Sequence, residues 1–205
     1  MLLVGVTGGI GAGKSTVSTL LEERGAVIVD ADRIARDLQA PGSPVLDRMA
    51  ERFGAHIIRD DGSLDRAAVA GIVFGDSDEA KQALADLNGI VHPAMQHEIQ
   101  RQIDAEADTD RIVVLDFPLL GENPRSDVAA TIVVDVPVDV AVERLVEFRG
   151  MDDDDARKRI ASQIGRDERL ARATHVVDNS GDLDQLRAEV DALWASLEEL
   201  RDRSD

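Results

Sequence analysis

Residues 8–15 read GGIGAGKS, which satisfies G-x-x-x-x-G-K-[ST], and the flanking residues dictate the structure into which such a loop must be built. Residues 2–7 (LLVGVT) form a short aliphatic run of strand type. Residues 14–24 (KSTVSTLLEER) carry Val17, Leu20 and Leu21 at helical spacing and stop at Gly25. A strand, a glycine loop and a helix in that order begin a parallel α/β sheet. The glycines let consecutive backbone N–H groups turn inward around an anion, and the helix adds its positive end. Lys14 can then reach the β- and γ-phosphates of a nucleotide, while the Ser15 hydroxyl is placed to ligate Mg2+. Gly8, Gly9, Gly11, Ala12, Gly13 and Thr16 complete the expected ATP-binding set. A glycine-rich turn with a chance lysine would not explain why motif and flanks agree.

The rest of the chain continues the pattern. Residues 26–29 (AVIV) form a second aliphatic run, closed by Asp30, Ala31 and Asp32, and residues 33–38 read as a helix before Pro41 and Gly42. From 41 to 107 helical patterns predominate, as at 44–53 and 79–88, separated by turn chemistry at Asp60, Asp61 and Gly62. Strand-like runs return at 111–117 and 131–136, each followed by Pro, and a helix is expected at 138–148. Residues 152–170 place an acidic block at a helical N-terminus, where the macrodipole favours it, and follow it with arginines. A short strand at 175–178 and an amphipathic helix at 183–200 close the chain, the latter presenting Leu186, Val190, Leu193, Trp194 and Leu197 on one face. With 205 residues, 43% of them hydrophobic but only 2% aromatic, one aliphatic core is expected. The expectation is a single domain with the three-layer α/β P-loop NTPase fold and a parallel five-stranded sheet. Its nucleotide core spans about 1–40 and 108–205, with a helical insertion at 41–107 and a lid at 149–170.

The formal net charge of −18 repels phosphate backbones and anionic membranes, so neither nucleic acid nor membrane is an expected partner. An anionic substrate must be drawn in by local cations and helix N-termini working against that field. There is no Cys for a disulfide or a thiolate site, and the apolar start is too short and interrupted for a signal peptide or membrane span. A soluble cytoplasmic protein is expected; the sequence leaves its oligomeric state open.

A phosphate loop alone leaves transferase, hydrolase and molecular switch open. No Asn-Lys-x-Asp guanine reader occurs. Small-molecule kinases use an acceptor-binding insertion, an arginine-rich lid and a carboxylate at the end of the second strand, and each has a candidate here. VDADRIA at 29–35 puts two carboxylates where open α/β sheets bind ligands, and one of them can take the proton of an attacking hydroxyl. Asp32 also suits a helix N-cap, which does not exclude catalysis. Asp116, at the end of the third strand, is a second candidate for orienting magnesium.

TGGIGAGKST, VDADRIAR, His92-Pro93, the PLL of Pro118, Leu119 and Leu120 with Glu122 beyond it, and DNSG at 178–181 occur in an order that resembles the dephospho-CoA kinase family over nearly the whole chain. The resemblance implies transfer of the ATP γ-phosphoryl group to the ribose 3′-hydroxyl of dephospho-CoA, the last step of coenzyme A synthesis. It implies that Asp32 is the base, that the insertion holds the acceptor with His92, Pro118, Leu119 and Glu122 as contacts, and that Asn179 lies near the adenine of ATP. It also implies a lid in which Arg144 and Arg149 flank a hinge at Gly150 and serve catalysis, with Arg157, Arg159, Arg166 and Arg169 beside them. Gly121 departs from the bulky residue expected between PLL and Glu122. A kinase for a nucleoside, nucleotide or sugar would share the loop and lid without this order of motifs, and a nucleotide-dependent switch would share the loop alone.

Overall fold

In chain order the elements are β1 (Leu2–Gly8), α1 (Lys14–Glu23), β2 (Val27–Asp30), α2 (Ala31–Asp37), α3 (Pro44–Phe53), α4 (Arg66–Val73), α5 (Asp78–Asp104), β3 (Ile112–Asp116), β4 (Ala130–Asp135), α6 (Val138–Arg149), α7 (Asp153–Ala161), α8 (Arg166–Ala171), β5 (His175–Asp178) and α9 (Leu183–Asp202), with single 3-10 turns at Ala55–Ile57 and Pro118–Leu120. They come from a computed structural model of the chain, which describes residues 1–120 and 125–203. Two compact units are formed, one by Met1–Asp30 with Ala105–Asp205 and the other by Ala31–Asp104.

The first unit holds the sheet, whose five strands are all parallel in the order β2-β3-β1-β4-β5. β1 is central and buried along its whole length, which is why it reads as a continuous aliphatic run rather than an alternation. Register pairs Val4 with Val114 of β3 and with Ala130 of β4, and it sets Asp30 beside Asp116 at the carboxyl ends of β2 and β3. The chain leaves β1 toward β2 on one side and leaves β4 toward β5 on the other, so the loop after β1 lies at the point where the winding reverses. The core joins Val4, Val6, Ile132 and Val134 of the sheet to Val17 and Leu21 of α1 and to α9. On α9 the expected stripe is buried at Leu186, Val190, Leu193 and Leu197, each contributing about 1.5–3 kcal/mol relative to exposure, while Trp194 packs partly buried.

The α9 N-terminus explains part of DNSG. Asp182 accepts from the Gln185 N–H at 2.9 Å, and the Gln185 side chain accepts from the Asp182 N–H at 3.0 Å, a reciprocal cap. A Cβ on Gly181 would stand 1.9 Å from Gln185 Oε1, so only glycine leaves that cap in place.

The second unit is helical, with its own core of Val45, Leu46, Met49, Phe53, Ile57 and Val69 among others. Ser43 caps α3, accepting from the Val45 N–H at 3.1 Å, with Pro44 in the first turn where its missing N–H costs nothing. Asp65 caps α4 by accepting from Ala67 and Ala68 N–H groups, both at 3.0 Å.

Two local expectations are corrected, and a third segment is resolved into its helices. α2 starts at Ala31, so Asp32 sits inside its first turn rather than at a cap. The helix expected at 79–88 is part of α5, which runs 27 residues through Pro93. Pro93 cannot donate to the Gly89 carbonyl, but Gly89 is exposed, so water can take that role and the helix continues. Residues 152–170 form two helices, because Gly165 ends the connection after α7 and opens α8.

Candidate active site

The loop after β1 carries the motif. Gly11 and Gly13 take φ of 81° and 82°, the left-handed region in which a side chain is strained. Close approach forbids one as well: a Cβ on Gly11 would stand 2.8 Å from the Ala141 carbonyl, and one on Gly13 would stand 2.2 Å from Asn179 Nδ2. Gly8 likewise leaves no room beside the Val134 carbonyl, 2.9 Å from where its Cβ would lie. α1 then begins at Lys14 with no side-chain cap, which leaves the positive end of the helix facing the loop.

Lys14 forms an ion pair with Asp116, whose second carboxylate oxygen accepts from the Ser18 hydroxyl at 2.6 Å. Asp116 is buried at 4% exposure, which makes a bare carboxylate there untenable without both donors. Ser18, one turn along α1 from Lys14, was not singled out by the motif. Its neighbourhood to Asp116 depends on the β1–β3 register, which no local pattern reveals.

Asn179 is a brace. Its Nδ2 donates to the Ala12 carbonyl at 2.8 Å, its backbone N–H donates to the Asp135 carbonyl at 2.9 Å, and its own carbonyl accepts from Arg144 Nη2 at 2.8 Å. The preceding Asp178 accepts from the Ser180 N–H at 2.8 Å, and the Ser180 hydroxyl and N–H hold its carboxyl below the usual carboxylate range. Every residue of DNSG thus has a local structural role.

Two recesses flank the loop within this unit. One, of about 420 Å³, is lined by Gly13, Ser15 and Thr16 of the loop and by Arg144, Arg149 and Asn179. Phe148, 74% exposed, and Leu183, 51% exposed, also line it, giving two largely exposed apolar surfaces. Neither was among the sequence candidates, because a lone exposed apolar residue carries no motif. Arg149 makes no ion pair among the described residues, and Gly150 follows it at φ 62° as the left-handed stop of α6.

The other recess, of about 470 Å³, lies between the loop and α7–α8. Here Gln163 Oε1 accepts from the Ile10 N–H at 2.9 Å, a link between this helical segment and the loop that the sequence did not reveal. Arg166 grips Asp135 through two parallel bonds of 2.9 and 2.6 Å, and the carboxylate holds its guanidinium more firmly protonated than usual. Arg169 donates to the Ile164 carbonyl at 2.9 Å and lies over Gly9, where a Cβ would stand 3.0 Å from Nη1. Arg157 pairs with Asp153 and Asp139 on the exposed face of α7.

Thr7 donates to the Pro118 carbonyl at 2.9 Å and so ties β1 to the turn Pro118–Leu120, which includes the backbone of Leu119. Glu122 and Gly121 lie outside the described residues. In the helical unit Asp32 is exposed, with the Arg36 guanidinium donating to its backbone carbonyl at 3.1 Å, and His92 stands exposed on α5 at the edge of a cavity of about 270 Å³.

No group of three or more His, Cys, Asp or Glu able to hold a metal occurs among the described residues. The oxygen donors beside the loop are the Ser15 hydroxyl, exposed and without a side-chain hydrogen bond among the described residues, and the Asp116 carboxylate. That set suits Mg2+, which keeps several waters and takes its remaining ligands from substrate phosphates. No helix among the described residues is long and apolar enough to cross a membrane.

Sheet order and glycine loop define a P-loop protein of the nucleotide-binding α/β class. A profile of the dephospho-CoA kinase family matches residues 2–185. The chain is 48% identical over 200 residues to the dephospho-CoA kinase of Streptomyces avermitilis, covering 96% of this chain and 94% of the relative. It is 46% identical over 201 residues to that of Corynebacterium glutamicum, covering 96% and 98%. The crystal structure of TT1252 from Thermus thermophilus superposes with a TM-score of 0.79 at 29% identity, covering 96% of this chain and 97% of that one. The dephospho-CoA kinase from Campylobacter jejuni shares the fold, with a TM-score of 0.67 at 22% identity and coverage of 96% and 97%. The chain belongs to the dephospho-CoA kinase family.

Proposed function

We propose that the protein transfers the γ-phosphoryl group of ATP to the 3′-hydroxyl of dephospho-CoA, giving coenzyme A and ADP. The observation that carries this reading is the family match over residues 2–185, at whose start the phosphate loop is built. Turned-in N–H groups of the loop and the N-terminus of α1 bind the β- and γ-phosphates. Lys14 exchanges its carboxylate partner for phosphate oxygen. The adenine lies in the recess walled by Phe148 and Leu183, with Arg144 and Arg149 along the phosphates. Asn179 acts by holding the loop in shape.

Ser15 and Asp116 would hold Mg2+, which would supply positive charge against that of the transferring phosphoryl group. Asp32, in the first turn of α2 with no side-chain partner among the described residues, accepts the proton of the ribose hydroxyl. The helical unit, with His92, receives the acceptor, and Pro118 lies on the acceptor side. Arginines of α7 and α8 cover the transferring group, stabilise charge on its equatorial oxygens and exclude the water that would hydrolyse ATP. With a net charge of −18, the loop N–H groups, the α1 N-terminus, Lys14 and these arginines together must supply the local attraction for two polyanionic substrates. Reaction in the cytoplasm accords with both substrates being soluble metabolites.

The test incubates protein, ATP and Mg2+ with dephospho-CoA, adenosine or AMP and reads products by mass spectrometry. A gain of one phosphate on dephospho-CoA alone is expected, and Asp32→Asn retains ATP binding while turnover falls roughly 10²- to 10⁴-fold. ADP release indifferent to every acceptor would overturn the reading in favour of a nucleotide-dependent switch.

A further inference from the structure

Gln163 lies in the connection between α7 and α8. Its backbone N–H donates to the Ile160 carbonyl at 3.2 Å, extending the last turn of α7, so the side chain is carried on a helix end rather than on a free loop. That side chain reaches the phosphate loop, where Oε1 accepts from the Ile10 N–H at 2.9 Å across 153 positions of sequence. Ile10 is held a second time, because its side chain packs with Met151 and Ile160 against the buried cluster of Val142, Leu145 and Ala156. Main chain and side chain of one loop residue are thus both bound to α7 and its exit.

The residue after Gln163 completes a circuit. The Ile164 carbonyl accepts from Arg169 Nη2 at 2.9 Å, and Nη1 of the same guanidinium lies 3.0 Å from where a Cβ on Gly9 would stand. Gly9, Ile10, Gln163, Ile164 and Arg169 therefore form a closed ring of contacts at the start of the loop. Arg166 does not share in it: its bonds to Asp135 anchor α8 to the end of β4 instead. A long side chain left to itself samples many rotamers, so a carbonyl at a fixed place is what keeps this guanidinium over the loop.

We propose that Gln163 is a positioning residue for phosphoryl transfer: by accepting from the Ile10 N–H it fixes the Ile164 carbonyl, and that carbonyl holds Arg169 over Gly9. The inference rests on the arginines of α8 covering the transferring group. The left-handed glycines and the bond from Asn179 to the Ala12 carbonyl shape the loop without Gln163, so ATP binding does not need it. The placing of a cation against charge that develops in the transition state does, and its loss is felt in kcat rather than in the KM for ATP.

Two substitutions separate the bond from the bulk of the side chain. Gln163→Met keeps length and volume but offers only a weakly accepting sulfur, whereas Gln163→Glu keeps an oxygen for the Ile10 N–H. Without nucleotide, hydrogen exchange at the Ile10 amide, read by NMR, should quicken about fivefold or more in Gln163→Met and stay within about twofold of the unsubstituted rate in Gln163→Glu. Unchanged exchange in Gln163→Met, or quickened exchange in both variants, would overturn the proposal. With ATP, Mg2+ and dephospho-CoA, Gln163→Met should lower kcat about five- to tenfold and leave the KM for ATP within about twofold. A Gln163 that served stability alone would cost the same whatever stands at 169. The substitution is therefore repeated on Arg169→Lys, which keeps the charge but loses the fork that joins the Ile164 carbonyl to Gly9. There it should lower kcat by less than about twofold more; an equal loss on both backgrounds, or a loss confined to KM, also overturns the proposal. If the unsubstituted protein phosphorylates dephospho-CoA and these outcomes fail, the role of Gln163 alone falls. If it leaves dephospho-CoA unphosphorylated, the acceptor reading falls, and the part of Gln163 in transfer falls with it whatever the exchange at Ile10 shows.

Discussion

Replacing Asp116 by Asn keeps the shape and the contact with Ser18 but removes the charge that Lys14 faces. Side-chain exposure is 17% for Lys14 and 5% for Asp116, so the ammonium would be left mostly desolvated with no counter-charge. Removing one partner of a buried pair costs about 3–5 kcal/mol, and water reaching Lys14 puts this case near the lower end. At about 2–4 °C per kcal/mol for a chain of this size, Asp116→Asn should melt roughly 6–12 °C below the unsubstituted protein. On the proposed contact of Lys14 with phosphate, ATP should reverse part of that loss, because its phosphates would give Lys14 an anion without competition from a carboxylate. The ATP-induced rise in melting temperature, measured without Mg2+, should therefore be larger in the variant, with each tenfold gain in affinity adding about 1.4 kcal/mol. Differential scanning fluorimetry over an ATP titration reads both quantities. Equal melting temperatures without nucleotide, or an equal ATP shift, would refute the idea that Asp116 and phosphate share one cation.

Asn179→Ala leaves the Ala12 carbonyl without its donor, a loss of about 1–3 kcal/mol, and calorimetry should show weaker ATP binding although no direct phosphate contact has been removed. Asp182→Ala breaks the reciprocal cap of α9 at a cost of about 1 kcal/mol, which thermal melting should register with ATP binding unaltered. The Arg101 guanidinium, with the Gln102 amide, holds Glu98 down to about 2. Its unfolded value is about 4.3, so this stabilisation is present above that pH and disappears as pH falls toward 2. Glu98→Gln should accordingly have a slightly lower urea midpoint at pH 7 and converge with the unsubstituted protein near pH 2; a gap that persisted in acid would contradict the assignment.

The sheet was legible because buried parallel strands are aliphatic runs, and the loop because glycines at fixed offsets answer steric demands now visible at Gly11 and Gly13. α9 was legible from its stripe. The path of α5 through Pro93 was not, since the sequence does not show whether an i−4 carbonyl can be hydrated. The pairing of Asp116 with Lys14 and Ser18, and the contact of Gln163 with Ile10, join residues on separate elements through register and packing, which leave no local periodicity. Phe148 and Leu183 escaped notice because an exposed apolar side chain becomes informative only when a recess is seen beside it.

The bond from Asn179 to the Ala12 carbonyl joins residues 167 positions apart. During synthesis the glycine loop is made well before its fastening, which follows directly on β5. A contact over such a span has a high contact order, so the loop should take its final shape only once β5 has joined the sheet. A nascent or truncated chain ending before β5 carries the whole motif and lacks the fastening that shapes it into a binding site.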